Sequence, residues 1–131
     1  MTNTAFLIII AAFFLFVIMR RKLIMTNHNV KNITAEEANK LIIENKEVLI
    51  LDVRTKGEFA NGHIPGATLI PSSEIASRVS ELEKYVNKPV LVYCASGGRS
   101  PGAVQTLVKN NFAEIYHLSR GISSWNYATK R

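Results

Sequence analysis

The sequence predicts an α/β domain with a mainly parallel sheet and helices on both faces, preceded by one transmembrane helix. Three observations carry this reading. Val48–Val53 and Val90–Cys94 are nearly unbroken apolar runs, as expected of strands covered on both sides. Segments with helical spacing alternate with them, the pattern of a parallel sheet joined by crossover helices. Ahead of both, Ala5 to Met19 is apolar without a break, and no ionisable side chain occurs from Met1 to Met19.

The leading segment is close to the length a span requires, about 20 residues to cross a hydrocarbon core of about 30 Å. Leu23–Ile24–Met25 extend it if Arg20, Arg21 and Lys22 snorkel outward. A buried core helix would show a polar stripe, and this one has none. A cleaved signal peptide would carry cations before the apolar region and a small-x-small site after it. Here Thr2–Asn3–Thr4 precede the run and Phe16–Val17–Ile18–Met19–Arg20 follow it. Residues 1–25 therefore read as an uncleaved anchor in membrane lipid. The basic triplet directly after the run places the N-terminus outside and the rest of the chain in the cytoplasm. Residues 26–32 are polar and read as a linker, leaving 33–131 as the folded domain.

Within that domain, Thr34–Ala35–Glu36–Glu37 is a capping box, and Ala38, Leu41 and Ile42 supply one apolar helix face. Val48–Val53 is the first buried strand. Thr55 to Glu58 can cap a short helix closed by Asn61–Gly62. Ala67–Ile70 is a brief strand ended by Pro71. Ile75, Val79, Leu82 and Val86 recur at helical spacing, and Pro89 opens the second buried strand. Ser100–Pro101 reads as a cap followed by proline at the first helical position, with Ala103, Val104, Leu107 and Val108 facing the core. Ile115–Leu118 is the last strand, and Gly121 to Tyr127 a terminal helix.

Composition excludes several classes. The 131 residues are 47% hydrophobic and 20% charged, too apolar for a disordered chain. One cysteine rules out a disulfide scaffold. The net charge of +6 is no signature of nucleic-acid binding, because half of it sits in Arg20, Arg21 and Lys22. His28 and His117 show no metal-ligand spacing with Cys94, so neither a metal nor a cofactor is expected.

The chemistry concentrates at Cys94. In parallel sheets ligands bind beyond the carboxyl ends of the strands, and Cys94 lies at such an end. Ala95–Ser96–Gly97–Gly98–Arg99 follow, then a helix start at Ser100. Gly97 and Gly98 can take positive φ and leave amides uncovered, so the loop can curl around an atom at its centre. The helix dipole and the Arg99 charge favour thiolate over thiol, making Cys94 a nucleophile for a sulfur or phosphorus centre. Asp52 at a strand end can orient the loop or simply form a turn. Arg54 and Glu58 are positioned for an ion pair, and His63 reads as a turn residue.

These segments resemble the rhodanese domain. Leu51–Asp52–Val53–Arg54, Glu58–Phe59 and Gly62–His63–Ile64–Pro65–Gly66–Ala67 look like its first signature. Cys94–Ala95–Ser96–Gly97–Gly98–Arg99–Ser100 looks like its active-site loop, and Leu118, Gly121, Ile122 and Trp125 like its closing motif. The resemblance covers roughly residues 33–127. It implies a rhodanese-like fold with a mainly parallel five-stranded sheet, and sulfur transfer through a cysteine persulfide. By the match, Cys94 carries the sulfur, Ala95 to Arg99 supply the amide cradle, and Arg99 attracts an anionic donor. The implied partners are a small donor (thiosulfate or a persulfide) and a thiol acceptor. Asn111–Phe112 departs from the family's usual Gly–Phe, and Arg120 replaces one glycine of a usual pair beside Gly121.

Two other functions compete. Related phosphatases use a cysteine–arginine loop one residue longer, and the shorter loop here suits one sulfur atom better than a tetrahedral phosphate. Rhodanese-like domains also serve as non-catalytic interaction modules, but members of that kind often lack the cysteine that this chain keeps.

Overall fold

The computed structural model describes residues 2–26 and 29–131. His28, considered above as a metal ligand, lies outside the described residues. Helix α1 spans Thr2–Thr26, and its Asn3–Arg20 window is long and apolar enough to cross a membrane. None of that window is buried against the rest of the chain.

The described strands form one five-stranded sheet, and every pairing is parallel. They are β1 (Asn29–Ile33), β2 (Leu49–Asp52), β3 (Thr68–Leu69), β4 (Pro89–Tyr93) and β5 (Glu114–Leu118). Their order across the sheet is β1-β5-β4-β2-β3, so β4 and β2 are interior and buried along their whole length. β1 overlaps the stretch 26–32 expected to be a polar linker in all but its last residue, Ile33. It is an edge strand bonded only to β5, with Lys31 and Asn32 exposed and Ile33 buried, so it needs no apolar run.

Side-chain alternation along the strands builds two cores. Leu49, Leu51 and Val53 with Val90, Val92 and Cys94 face Ile75, Leu82, Ala103, Leu107 and Phe112. Ile50, Leu91 and Tyr93 face Ala35, Ala38, Ile64 and Leu118 on the other side, with Trp125 packed against them. The first core is roofed by α4 (Ile75–Arg78), the 3-10 segment Val79–Tyr85 and α5 (Ser100–Lys109). The second is covered by α2 (Ala35–Glu44), with α3 (Lys56–Ala60) in the β2–β3 crossover. Thr34 and Glu37 exchange the two capping-box hydrogen bonds, as do Thr55 and Glu58.

Three local expectations are corrected. The helical spacing from Ile75 to Val86 is α-helical for only one turn before tightening to 3-10. Ser100 is not the cap of α5: Arg99 occupies that position, and Ser100 is the first helical residue. The terminal helix expected from Gly121 to Tyr127 is only a 3-10 turn, Ile122–Ser124. Gly121 has φ +61° and ψ −166°, outside helical space. The Ser123 and Ser124 hydroxyls donate to the Arg120 and Gly121 carbonyls, a local alternative to helix continuation. The chain then runs back so that Lys130 and His63 exchange two backbone hydrogen bonds of 2.9 Å.

Candidate active site

Cys94 follows β4 directly and points to the α5 side of the sheet, the side its strand neighbours Val90 and Val92 also face. It is 1% exposed, beneath a loop whose Ser96, Gly98 and Arg99 are exposed. The Gly97 and Ser100 amides donate to Sγ at 3.1 and 3.4 Å, and Ser100 Oγ lies 3.2 Å from it. Burial pushes the thiol pKa up, but hydrogen bonds from the Ser100 hydroxyl and from the Ser100, Arg99 and Gly97 amides outweigh it. The net effect lowers the pKa, so the loop stabilises thiolate.

The loop is tied down from outside. Ile122 N donates to Cys94 O at 2.9 Å and Ser123 N to Ala95 O at 3.0 Å, so the closing turn serves as a clamp. Gly97 has φ +98°, and a Cβ there would lie 2.1 Å from the Ser119 carbonyl oxygen. Of the two loop glycines expected to take positive φ, only Gly97 does; Gly98 lies in open space.

Arg99 does not stand free at the loop mouth. Its Nη1 and Nη2 donate to the two Glu58 carboxylate oxygens at 2.7 and 2.8 Å. The expected Arg54–Glu58 ion pair is therefore replaced by two others. Arg54 folds back onto Asp52, donating from Nε and Nη2 at 3.0 and 2.7 Å, with side chains 6% and 0% exposed. The reason is proximity: the Asp52 carboxylate also accepts the Arg54 backbone N–H at 2.9 Å, closing a tight turn that brings the two side chains together. Arg54 further donates to the carbonyls of Glu58, in the middle of α3, and of Gly62, just past its C-terminal end. Asp52 and Arg54 thus sit behind the loop, touching α3, whose Glu58 meets Arg99, and Tyr93, which precedes Cys94. His63 stacks on Phe59 at 3.7 Å and bonds its carbonyl through Nδ1, and it is a bridge residue rather than the turn residue expected, because its backbone pairs with Lys130.

Sequence reasoning missed two neighbours of the cysteine. Ser100 Oγ lies 2.5 Å from His117 Nε2, and His117 Nδ1 lies 2.9 Å from Asn32 Oδ1. His117 is paired in register with Val92 of β4, which explains why its ring falls on the Cys94 face. That signal required the order of strands, which the sequence pattern does not contain.

The comparisons with known proteins agree with one another. The family described as the rhodanese-like domain matches residues 34–128. The uncharacterized protein YqhL of Bacillus subtilis is 38% identical over 125 residues, covering 95% of this chain and 94% of its own. A protein of Allochromatium vinosum named sulfurtransferase is 34% identical over 96 residues, 73% of this chain and 88% of that one. The crystal structure of a rhodanese-like domain protein from Staphylococcus aureus matches with a TM-score of 0.66 at 33% identity, over 76% of this chain and 96% of that one.

Proposed function

The chain belongs to the rhodanese-like domain family, and from that premise we propose that it is a sulfurtransferase that carries sulfane sulfur as a persulfide on Cys94. The single observation behind this reading is the convergence of the Gly97 and Ser100 amides and the Ser100 hydroxyl on one sulfur atom. Such a cradle favours an anionic sulfur, whether thiolate or persulfide.

The chemistry needs no external oxidant. The Cys94 thiolate attacks the outer sulfur of a donor such as thiosulfate; the new S–S bond forms as the donor's own S–S bond breaks, and sulfite leaves with that electron pair. The persulfide carries the single negative charge that the thiolate brought. A thiol acceptor or cyanide then attacks the terminal sulfur, and Cys94 returns as thiolate. Asp52 and Arg54 support the site by holding α3, from which Glu58 meets Arg99.

Incubation of the full chain in detergent with thiosulfate or a persulfide donor should raise its intact mass by one sulfur atom. Cys94→Ser should abolish both that gain and thiosulfate:cyanide transfer while preserving the fold. Transfer surviving in the serine variant overturns the assignment, and a folded wild type that takes up no sulfur from any donor points to a binding module instead.

A further inference from the structure

A buried histidine stands two hydrogen bonds from the reactive sulfur, and sulfur transfer as written above does not use it. His117 is 7% exposed and Ser100 fully buried, while Asn32 lies exposed on the edge strand. The polar chain therefore runs from the site floor to the surface: Cys94 Sγ, Ser100 Oγ at 3.2 Å, His117 Nε2 at 2.5 Å, then His117 Nδ1 and Asn32 Oδ1 at 2.9 Å. Its direction follows from the groups themselves. An amide oxygen only accepts, so the proton at the Asn32 end sits on Nδ1. Burial lowers the imidazole pKa and favours the neutral ring beside a thiol, so Nε2 is left with a lone pair facing the Ser100 hydroxyl. The thiolate that the relay creates supplies the opposite charge that offsets this cost once the ring is protonated. Ser100 then donates to His117 and can accept from the Cys94 thiol.

We propose that Ser100 and His117, oriented by Asn32, form a proton relay that converts the Cys94 thiol to thiolate. In one concerted hop the thiol proton moves to Ser100 Oγ while the Ser100 hydroxyl proton moves to His117 Nε2. The S–H bond breaks, a new N–H bond forms, and the products are a thiolate and an imidazolium with the hydroxyl intact between them. Ser100 then donates to the thiolate. The amides of Gly97 and Ser100 hold the negative charge, and Asn32 Oδ1 continues to accept from Nδ1 of the imidazolium. The groups around the ring are Asn32 from β1, Val92 in register on β4 and Ser100 from α5. Among the described residues no charged side chain bonds to the ring, so the relay is not short-circuited by a carboxylate. Ser100 touches the sulfur and takes its proton, whereas His117 acts on the sulfur through Ser100 and is a positioning residue in this scheme.

The proposal rests on Cys94 being the nucleophile, and its test reads the thiolate without any sulfur donor. The pH dependence of iodoacetamide alkylation at Cys94 is measured on the full chain in detergent, for the wild type and for His117→Gln, Ser100→Ala and Asn32→Asp. Glutamine can hydrogen-bond Ser100 but cannot take its proton, so the midpoint should rise by about one pH unit, a roughly tenfold loss of thiolate below it. Ser100→Ala should raise it at least as far. Asn32→Asp places an anion on Nδ1, favours the imidazolium and should move the midpoint down. A wild-type profile in folded His117→Gln overturns the relay. If that variant fails to fold, Asn32→Asp decides: an unchanged or raised midpoint overturns it. Loss of the relay with sulfur uptake intact leaves the sulfurtransferase reading standing, and the reverse result leaves the relay standing without it.

Discussion

Glu58 uses one carboxylate for two purposes. It accepts from Thr55 N at 3.2 Å as the capping-box partner of α3, and it takes both Arg99 Nη atoms. The Arg99 guanidinium pulls its pKa down to about 2, aided by Thr55 and opposed by burial. Because that folded value lies below the usual 4.5, the pair stabilises the fold above about pH 4.5 and loses that contribution as the pH falls toward 2. With side chains 39% and 34% exposed, the contribution is small, no more than about 1 kcal/mol. Its larger consequence concerns the proposed reaction, in which a doubly charged donor such as thiosulfate would compete with Glu58 for Arg99. Glu58→Gln keeps a capping-box residue and releases the arginine, so KM for thiosulfate should fall on the order of fivefold, the worth of roughly 1 kcal/mol of exposed Coulomb attraction. Arg99→Ala should raise it, and an uncharged donor should respond to neither. Steady-state kinetics with both donor types decide the matter. Parallel changes for charged and uncharged donors would mean that the pair shapes the loop rather than gating its charge.

At the scale of elements, the active-site loop is held by a backbone fit between two segments distant in sequence. Gly97 packs against Ser119, and Gly121, at φ +61°, leaves its own absent Cβ only 2.5 Å from the Cys94 carbonyl oxygen. Gly97→Ala should therefore cost about 2–4 kcal/mol through left-handed strain and collision, whereas Gly98→Ala should stay within about 0.5 kcal/mol. Urea melts of the full chain measure both, and equal losses would show that the clamp is not what constrains the loop. The same elements divide what the sequence disclosed from what it withheld. β2 and β4 were legible because interior parallel strands must be apolar on both faces. The thiolate-stabilising loop was legible because cysteine, glycines and a helix start lie within seven consecutive residues, Cys94 to Ser100. β1 was not, because an edge strand bonded on one side carries no apolar run. Ser100 before Pro101 imitates a cap, and only the folded arrangement turns its hydroxyl toward Cys94 and His117. Asn111, where the family usually has glycine, takes φ +66°, a left-handed conformation that asparagine tolerates, so that departure leaves the backbone unchanged in kind.

For the molecule as a whole, α1 is a candidate span, and if it crosses a membrane its flanking residues predict which side the loop faces. The uninterrupted apolar run is short, but α1 carries it within 25 helical residues, about 37 Å of helix against a hydrocarbon core of about 30 Å. Arg20, Arg21 and Lys22 then fall at one end of the span, and Thr2–Asn3–Thr4 at the other bear no charged side chain. Positive flanks stay on the cytoplasmic side, so residues 20–131 should lie in the cytoplasm. The proposed chemistry argues the same way, because it needs Cys94 as a free thiolate, which a reducing compartment preserves. Protease added to right-side-out vesicles should leave the domain intact until detergent opens the membrane. Digestion without detergent would reverse the orientation. Recovery of a soluble chain beginning after residue 19 would show that the helix is a leader removed by cleavage, and that the basic triplet then orients nothing.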